Sequence, residues 1–371
     1  MKRIFVLILA LCLILCACGS QPEETEPMTE VLLEEETEAV TEAPTEAPTE
    51  APTEAPTEAP VVIRHPLTGE VLESVFTGRP TAIVINNISV AMPQSGISGA
   101  DMFYEIETES GITRCLAIFT SFEGVNAVGP IRSARTYFNN ISTSYDAPLF
   151  HCGGSPMAKA AQYDASGASL KQWTHVDQMA HTSYFYRDQG RYNSGYAWEH
   201  TLYSTGENVL KALSDLQMNT VNENGTDYGL NFSETPVLNG DTANKVTMQF
   251  LGGKQTLFTY NTETGLYDAD QYGKDWVDAG NNTTLQFRNI LALYATQEKI
   301  SDGKDTRSFY DLVGSGTGYL ACDGQIVKIN WVREDLYGPF SYTLEDGTPI
   351  TLGVGKTYVG IASVRCDIAY E

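Results

Sequence analysis

Residues 41–60 are five consecutive copies of Thr-Glu-Ala-Pro. Apart from the small proline ring, no side chain in that run is both apolar and larger than alanine, so it cannot bury enough surface to offset the entropy of ordering it. Regular proline and mutually repelling glutamates keep such a chain extended. A four-residue unit also has no core to stack on its neighbours, so this is not a solenoid repeat. The repeat therefore divides the chain: whatever folds must be built from residue 61 onward. The first sixty residues hold 13 acidic and 2 basic side chains, so 11 of the 24 net negative charges belong to them and 13 to the rest. The remainder is moderately acidic, which argues against a general nucleic-acid binder.

Upstream of the repeat, Met1-Lys2-Arg3 is followed by an apolar run from Ile4 to Leu15. That run is short for a bilayer span and reads as the h-region of a secretory signal, residues 1–17. Leu15-Cys16-Ala17-Cys18-Gly19 then resembles the lipobox of bacterial lipoproteins. Cys18 follows the small Ala17 and is the expected lipidated residue; an ordinary cleaved signal peptide is the alternative. Residues 18–60 read as an acidic stalk between a lipid anchor and a folded part, on the extracytoplasmic face of a membrane.

The folded part contains four cysteines, Cys115, Cys152, Cys322 and Cys366, with no CxxC pair and no Cys/His cluster. Their spacing leaves both disulfides and buried free thiols open, and gives no zinc site. Short apolar runs at 81–87, 111–119, 125–131 and 147–152 predict strands. Helices are predicted over 132–145, 157–163 and 205–216, the second opened by Ser155 as cap and Pro156 at its first position. Strands alternating with helices predict an α/β layered N-terminal domain over 61–225. From about residue 240 the pattern is strand after strand: 245–251, 256–261, 289–296, 318–322, 325–332, 341–344, 350–352 and 357–362. Asp323-Gly324 and Asp346-Gly347 read as hairpin turns. A smaller, mostly-β C-terminal domain over 240–371 is predicted.

Between residues 61 and 191 there are seven arginines and two lysines. Arginine suits planar, bidentate contact with phosphate or carboxylate. Arg132 and Arg135 follow Gly129-Pro130; on a helix their three-residue spacing puts both on one face, beside free N–H groups. With Ser133 between them they form a candidate anion site, together with Arg114. Gly153-Gly154-Ser155, after His151, predicts a second strand-to-helix turn of the same kind. Arg187, Arg191 and His200 are candidate rim residues. Pairing of the arginines with Glu105, Glu107, Glu109 or Asp146 is the structural alternative. His151 and Cys152 are adjacent in a strand and so point to opposite faces, which speaks against a nucleophile–base pair. No cofactor and no metal site is expected, although Glu105 and Glu107, with Asp101 and Glu109, could hold a divalent cation.

Several of these motifs resemble the YerB-like lipoproteins of Gram-positive bacteria. They are Arg79-Pro80 before Ala82–Asn87, Pro93–Ser98 with Asp101 and Glu105, Gly111–Arg114, Gly129–Arg135, and His151 with Gly153–Ser155. In the β region Trp331 and Gly355–Tyr358 carry the resemblance. Arg187 and Arg191 match, but Asn193–Trp198 is an insertion, and Thr201 stands where such proteins usually have Asn. The resemblance implies a lipid anchor and two successive domains, and assigns no activity. A fainter similarity is to LytR-CpsA-Psr cell-wall ligases, which hold a polyprenyl diphosphate glycolipid with arginines and a metal-binding aspartate. Cys115 stands where that aspartate would follow Arg114. Three readings result: a lipoprotein that binds an anionic, phosphate-bearing envelope lipid or wall polymer, a phosphotransferase-like envelope enzyme, or a scaffold that recruits an envelope protein.

Overall fold

The computed structural model describes residues 62–162, 174–223 and 225–371. The signal, Cys18 and the stalk lie outside them, as does Tyr163 at the end of the second predicted helix.

Apolar alternation builds the central sheet. Strands β1 (Thr81–Asn86), β2 (Met102–Glu107) and β3 (Thr113–Phe119) are buried at every position. Successive side chains point to opposite faces, so Ile83 and Ile85 enter one core and Ala82 and Val84 another. The same split places Phe103, Cys115 and Ala117 below, and Tyr104, Leu116 and Ile118 above. Short strands β4 (Leu149–His151) and β5 (His175–Asp177) extend the sheet in parallel beyond β1.

Helix α1 (Thr136–Ser144) covers the upper core with Tyr137, Phe138 and Ile141, beside Ala158 of α2 (Pro156–Gln162). The short helix α3 (Gln189–Asn193) lies on the surface, capped by Asp188. Helix α4 (Gly206–Asp215) sends Val209, Ala212 and Leu213 into the lower core, and Thr205 caps it by accepting from the Asn208 amide.

The C-terminal part supplies β6 (Lys245–Gln249), β7 (Gln255–Asn261) and β8 (Leu266–Gln271), and then β9 (Asn289–Ala295). A projecting hairpin, β10 (Gln297–Asp302) and β11 (Asp305–Tyr310), follows. The chain continues through β12 (Gly314–Cys322), β13 (Gln325–Arg333), β14 (Ser341–Leu344), β15 (Thr357–Ser363) and β16 (Ile368–Tyr370). The N-terminal domain is thus α/β and the C-terminal domain mostly β.

The two domains share one sheet, in the order β14-β13-β12-β9-β15-β2-β3-β1-β4-β5. Strand β15 joins them: it runs parallel to β9 on one side and to β2 on the other. A second sheet, containing β8-β7-β6-β16, packs below the first through Val246, Met248, Phe258 and Tyr267.

Two local expectations need correction. Residues 125–131 make isolated bridges, Val128 with Ser204 and Ile131 with Ile85, and not a strand. The first helix starts at Thr136, not at Arg132. The Gly129–Pro130 peptide is cis, and the Arg132 and Ala134 amides are spent on Val84 and Gly153 carbonyls. Residues 102–107, whose alternating acids suit one face of a strand as well as a solvated surface, form a fully buried strand. All four cysteines are free thiols.

Candidate functional site

The segment after Pro130 runs extended across the ends of β1 and β4. Ala134 N donates to Gly153 O at 3.0 Å, and Cys152 N to Arg132 O at 3.1 Å. The Gly-Pro turn and the Gly-Gly turn therefore lie side by side, as the sequence suggests. The extended backbone changes where the arginines go. Residues three apart share a helix face but take opposite sides of an extended chain, and the guanidinium groups of Arg132 and Arg135 separate.

Arg135 turns inward. Its Nε donates to Glu109 Oε2 at 3.0 Å, its Nη2 to Oε1, and its Nη1 to the Ala134 carbonyl. Arg114 reaches the same carboxylate at 3.3 Å and the Ser133 carbonyl at 2.8 Å. Arg307, from the β10–β11 hairpin, approaches Glu109 at 3.4 Å and Asp305 at 2.6 Å. Burial works against the ionised Glu109, but hydrogen bonds from Arg135 and the charges of Arg114 and Arg135 bring its carboxyl down to about 2. Burial, then the Arg135 charge, lowers Arg114 to about 9. The anion these two arginines hold is the protein's own.

The second turn is filled in the same way. Ser155 caps α2 by accepting from Ala158 N at 3.3 Å, and the Met157 amide donates to Asp302 Oδ1 at 2.8 Å. Gly153, in the left-handed region at φ 62°, gives its amide to Asp177 Oδ1 at 2.7 Å, while Gly154 bridges Ala134. His151 is fully buried. Its Nδ1 faces the Gly153 carbonyl at 2.8 Å and must donate, which leaves Nε2 to accept from His175 Nδ1 at 3.2 Å. Burial lowers the pKa of both rings, His175 to about 4, so both stay neutral.

Arg191 is also structural. It donates to the Pro93 and Ala91 carbonyls and lies 4.0 Å over Tyr196, which fixes the loop before Pro93.

Arg132 and Arg187 differ from the others. Arg132 meets the exposed Glu199 at 3.6 Å, and its buried Nε has no acceptor. Arg187 donates to the Trp198 carbonyl at 2.7 Å and lies 4.8 Å over the Trp198 ring. Among the described residues no carboxylate pairs with it. Its pKa is lowered by burial and, in smaller measure, by the Arg132 charge. Cys152 lies beside both; its thiol donates to Gln178 Oε1, and burial raises its pKa. His200 accepts from Asn86 Nδ2 at 2.9 Å and stands 3.6 Å from Glu199, its pKa lowered by burial.

The acids that could have held a cation are engaged elsewhere. Asp101 accepts from Thr120 N and Oγ1, and Glu107 from Leu251 N. Glu105 is fully buried and pairs with Lys254; it also accepts from Asn87, Thr113, Thr256 and Tyr358. Among the described residues no cluster of His, Cys, Asp and Glu could hold a metal ion.

Lys254 and the amides beyond Glu105 carry a second polar centre that sequence reasoning missed. The one available signal was a glutamate inside the apolar run Met102–Glu107. Two cavities flank this centre, of about 600 Å³ beside Lys254 and Tyr272 and about 420 Å³ beside Gln271 and Trp276.

Comparison with known proteins places the whole folded part. The family model described as "Protein of unknown function (DUF3048) N-terminal domain" matches residues 67–219, and its C-terminal counterpart matches 246–359. The chain belongs to the DUF3048 family. It is 30% identical over 313 residues to YerB of Bacillus subtilis (strain 168), whose name calls it a lipoprotein; the match covers 81% of this chain and 86% of that one. The crystal structure of YerB from Bacillus subtilis superposes with a TM-score of 0.69 at 27% identity, over 83% of this chain and 99% of that one. The YerB-like resemblance read from the motifs is thereby established. Among the described residues no helix is long and apolar enough to cross a membrane.

Proposed function

We propose that this DUF3048 protein is an extracytoplasmic lipoprotein, anchored through Cys18, that holds a phosphate-bearing envelope ligand without turning it over. One observation carries the binding reading. Arg132 and Arg187 are partly buried guanidinium groups whose charges act on each other, and of the two only Arg132 meets a carboxylate among the described residues, the exposed Glu199. Like charges held close repel, and the repulsion grows as water is removed. A planar bidentate anion relieves it, and phosphate matches that geometry. Arg114 and Arg135 already share the Glu109 carboxylate and are left out of the proposed site.

The same surroundings disfavour turnover. The Cys152 thiol is pushed away from the thiolate form, and thiolate is the nucleophile. Asp101, Glu105 and Glu107 are all committed to other partners, so the cation that a phosphotransferase needs has no carboxylate support. A name given to a relative, together with Cys18 after Ala17, supports the anchor.

Calorimetric titration of the full chain with inorganic pyrophosphate tests the site. Each arginine–phosphate contact is a charge-assisted hydrogen bond, so Arg187→Ala should weaken binding about tenfold or more. Unchanged affinity in Arg187→Ala, or magnesium-dependent cleavage of a prenyl diphosphate, would overturn the reading. Cys18→Ser should move the chain from the membrane fraction to the soluble one.

A further inference from the structure

The buried amides beside Glu105 have a fixed direction. An ionised carboxylate only accepts, so Asn87 must turn its Nδ2 toward Glu105 Oε1, at 2.8 Å. Asn87 Oδ1 is then an acceptor, and it takes Nε2 of Gln94 at 2.8 Å and Nε2 of Gln271 at 3.0 Å. Gln94 has its carbonyl free to accept, and the Trp276 indole N–H fills it at 2.7 Å. Gln271 is in the same position, yet its Oε1 has no donor, although the residue is only 4% exposed. Flipping the amide would set oxygen against Asn87 Oδ1. The network therefore ends in a buried acceptor that the protein leaves unmet, which costs stability unless something donates to it.

Gln271 lines the cavity of about 420 Å³ with Ser89, Met92, Pro93, Tyr272 and Trp276. Ser89 and Tyr272 also line the cavity of about 600 Å³, so the two are neighbours on either side of the Tyr272 ring. Tyr272 stands at φ 58°, ahead of Gly273 at φ 72°. A turn with two positive φ angles ordinarily takes Asn-Gly, and a bulky ring there is strained. Its hydroxyl donates to the Asn87 carbonyl at 2.6 Å, which fixes the ring, and 40% of the residue stays exposed. Strain of this kind collects at ligand sites. Asp270 and Asp275, paired across the adjoining strands, stand at the two rims.

We propose that these adjacent cavities bind a neutral sugar chain, with one pyranose ring stacked on Tyr272 and a hydroxyl of the same chain donated to Gln271 Oε1, which is covered in the free protein and opens by a shift of the side chain. An aromatic wall beside an unmet amide acceptor suits the apolar face and the hydroxyl edge of such a ring. An ionised phosphate does not satisfy Gln271, because its oxygens cannot donate, and each cavity balances one aspartate with one lysine, Asp270 with Lys254 and Asp275 with Lys274, as suits a neutral ligand. This site is independent of the Arg132–Arg187 surface.

The test titrates the full chain, in a non-glycosidic detergent, with the β-1,4-linked trimer of N-acetylglucosamine. Saturation-transfer NMR and calorimetry are the readouts. Saturable binding is expected, with transfer from aromatic protons to the sugar. Tyr272→Gly, which the positive φ accommodates, should keep the parent's melting profile and lose affinity about tenfold or more. Tyr272→Phe should stay within about threefold, and Gln271→Met should bind more weakly than either the parent or Tyr272→Phe. Pyrophosphate affinity should be the same in all three variants. Absence of sugar binding, undiminished binding by a folded Tyr272→Gly, or displacement of the sugar by pyrophosphate would each overturn the proposal.

Discussion

Replacing Lys254 by Met tests the physics of the centre between the two sheets. Methionine keeps an unbranched apolar stem of similar length, so the change removes charge and leaves little void. Glu105 is then a carboxylate with no exposed surface and no counter-charge. Breaking a buried pair by removing one partner typically costs about 3–5 kcal/mol. Four neutral donors, from Asn87, Thr113, Thr256 and Tyr358, remain on the carboxylate, so the lower end, about 3 kcal/mol at pH 7, is expected. The effect depends on pH. In the parent, burial opposes ionisation of Glu105 but Lys254 outweighs it, so its pKa is lowered and its stabilisation fades as pH falls. Without Lys254, burial dominates and the folded pKa rises above the unfolded value. The variant then loses stability as pH rises through that folded pKa. Equilibrium urea unfolding of both chains across pH 4–8 should show a gap that widens toward neutral pH, and Glu105→Gln combined with Lys254→Met should recover much of it. A loss below about 1 kcal/mol, or purely additive effects in the double variant, would refute the account of a coupled buried pair.

Two further outcomes follow from the same reasoning. The Glu109 carboxyl is held at about 2, so its contribution is complete above its ordinary value of 4.5 and is lost as pH falls toward 2. Thermal melts of Glu109→Gln should be flatter than the parent's across that window. Of the four thiols in the folded part, three are buried and Cys152 is half-buried. A thiol-reactive dye should therefore modify Cys152 in the native chain, slowly because its pKa is raised, and all four after denaturation.

Local signals in the sequence were sufficient where a contact is local. The apolar run at 81–87, the helix over 205–216 and the Asp323-Gly324 turn are found to within a residue, as Thr81–Asn86, Gly206–Asp215 and the hairpin between β12 and β13. The start of α1 was misread because proline was taken as a helix opener. Here the amides after Pro130 donate to Val84 of β1 and to Gly153 in the turn after β4, so the chain stays extended. The anion expected beside Arg135 is present, but it is Glu109, one of four acids the sequence offered without a way to choose. Lys254 and Gln271 were missed because their partners lie far away along the chain: Glu105 is separated from Lys254 by 149 residues, and Asn87 from Gln271 by 184. Neither residue has a neighbour in sequence that reveals the contact. The placement of β15 between β9 and β2 was equally hidden, because a strand's own pattern states that it is buried and not what it lies beside.

The position of β15 bears on how the chain is made. Its partner β2 is synthesised some 250 residues earlier, and that edge has a full row of backbone groups to satisfy. Until residues 357–363 emerge, the N-terminal domain has an open seam in the middle of what will be a buried sheet. Contacts closed over so long a loop form late and slowly. A polypeptide released from its N-terminus onward thus keeps this sheet incomplete until residues 357–363 are available, and removing that strand would unmake a sheet begun at residue 81.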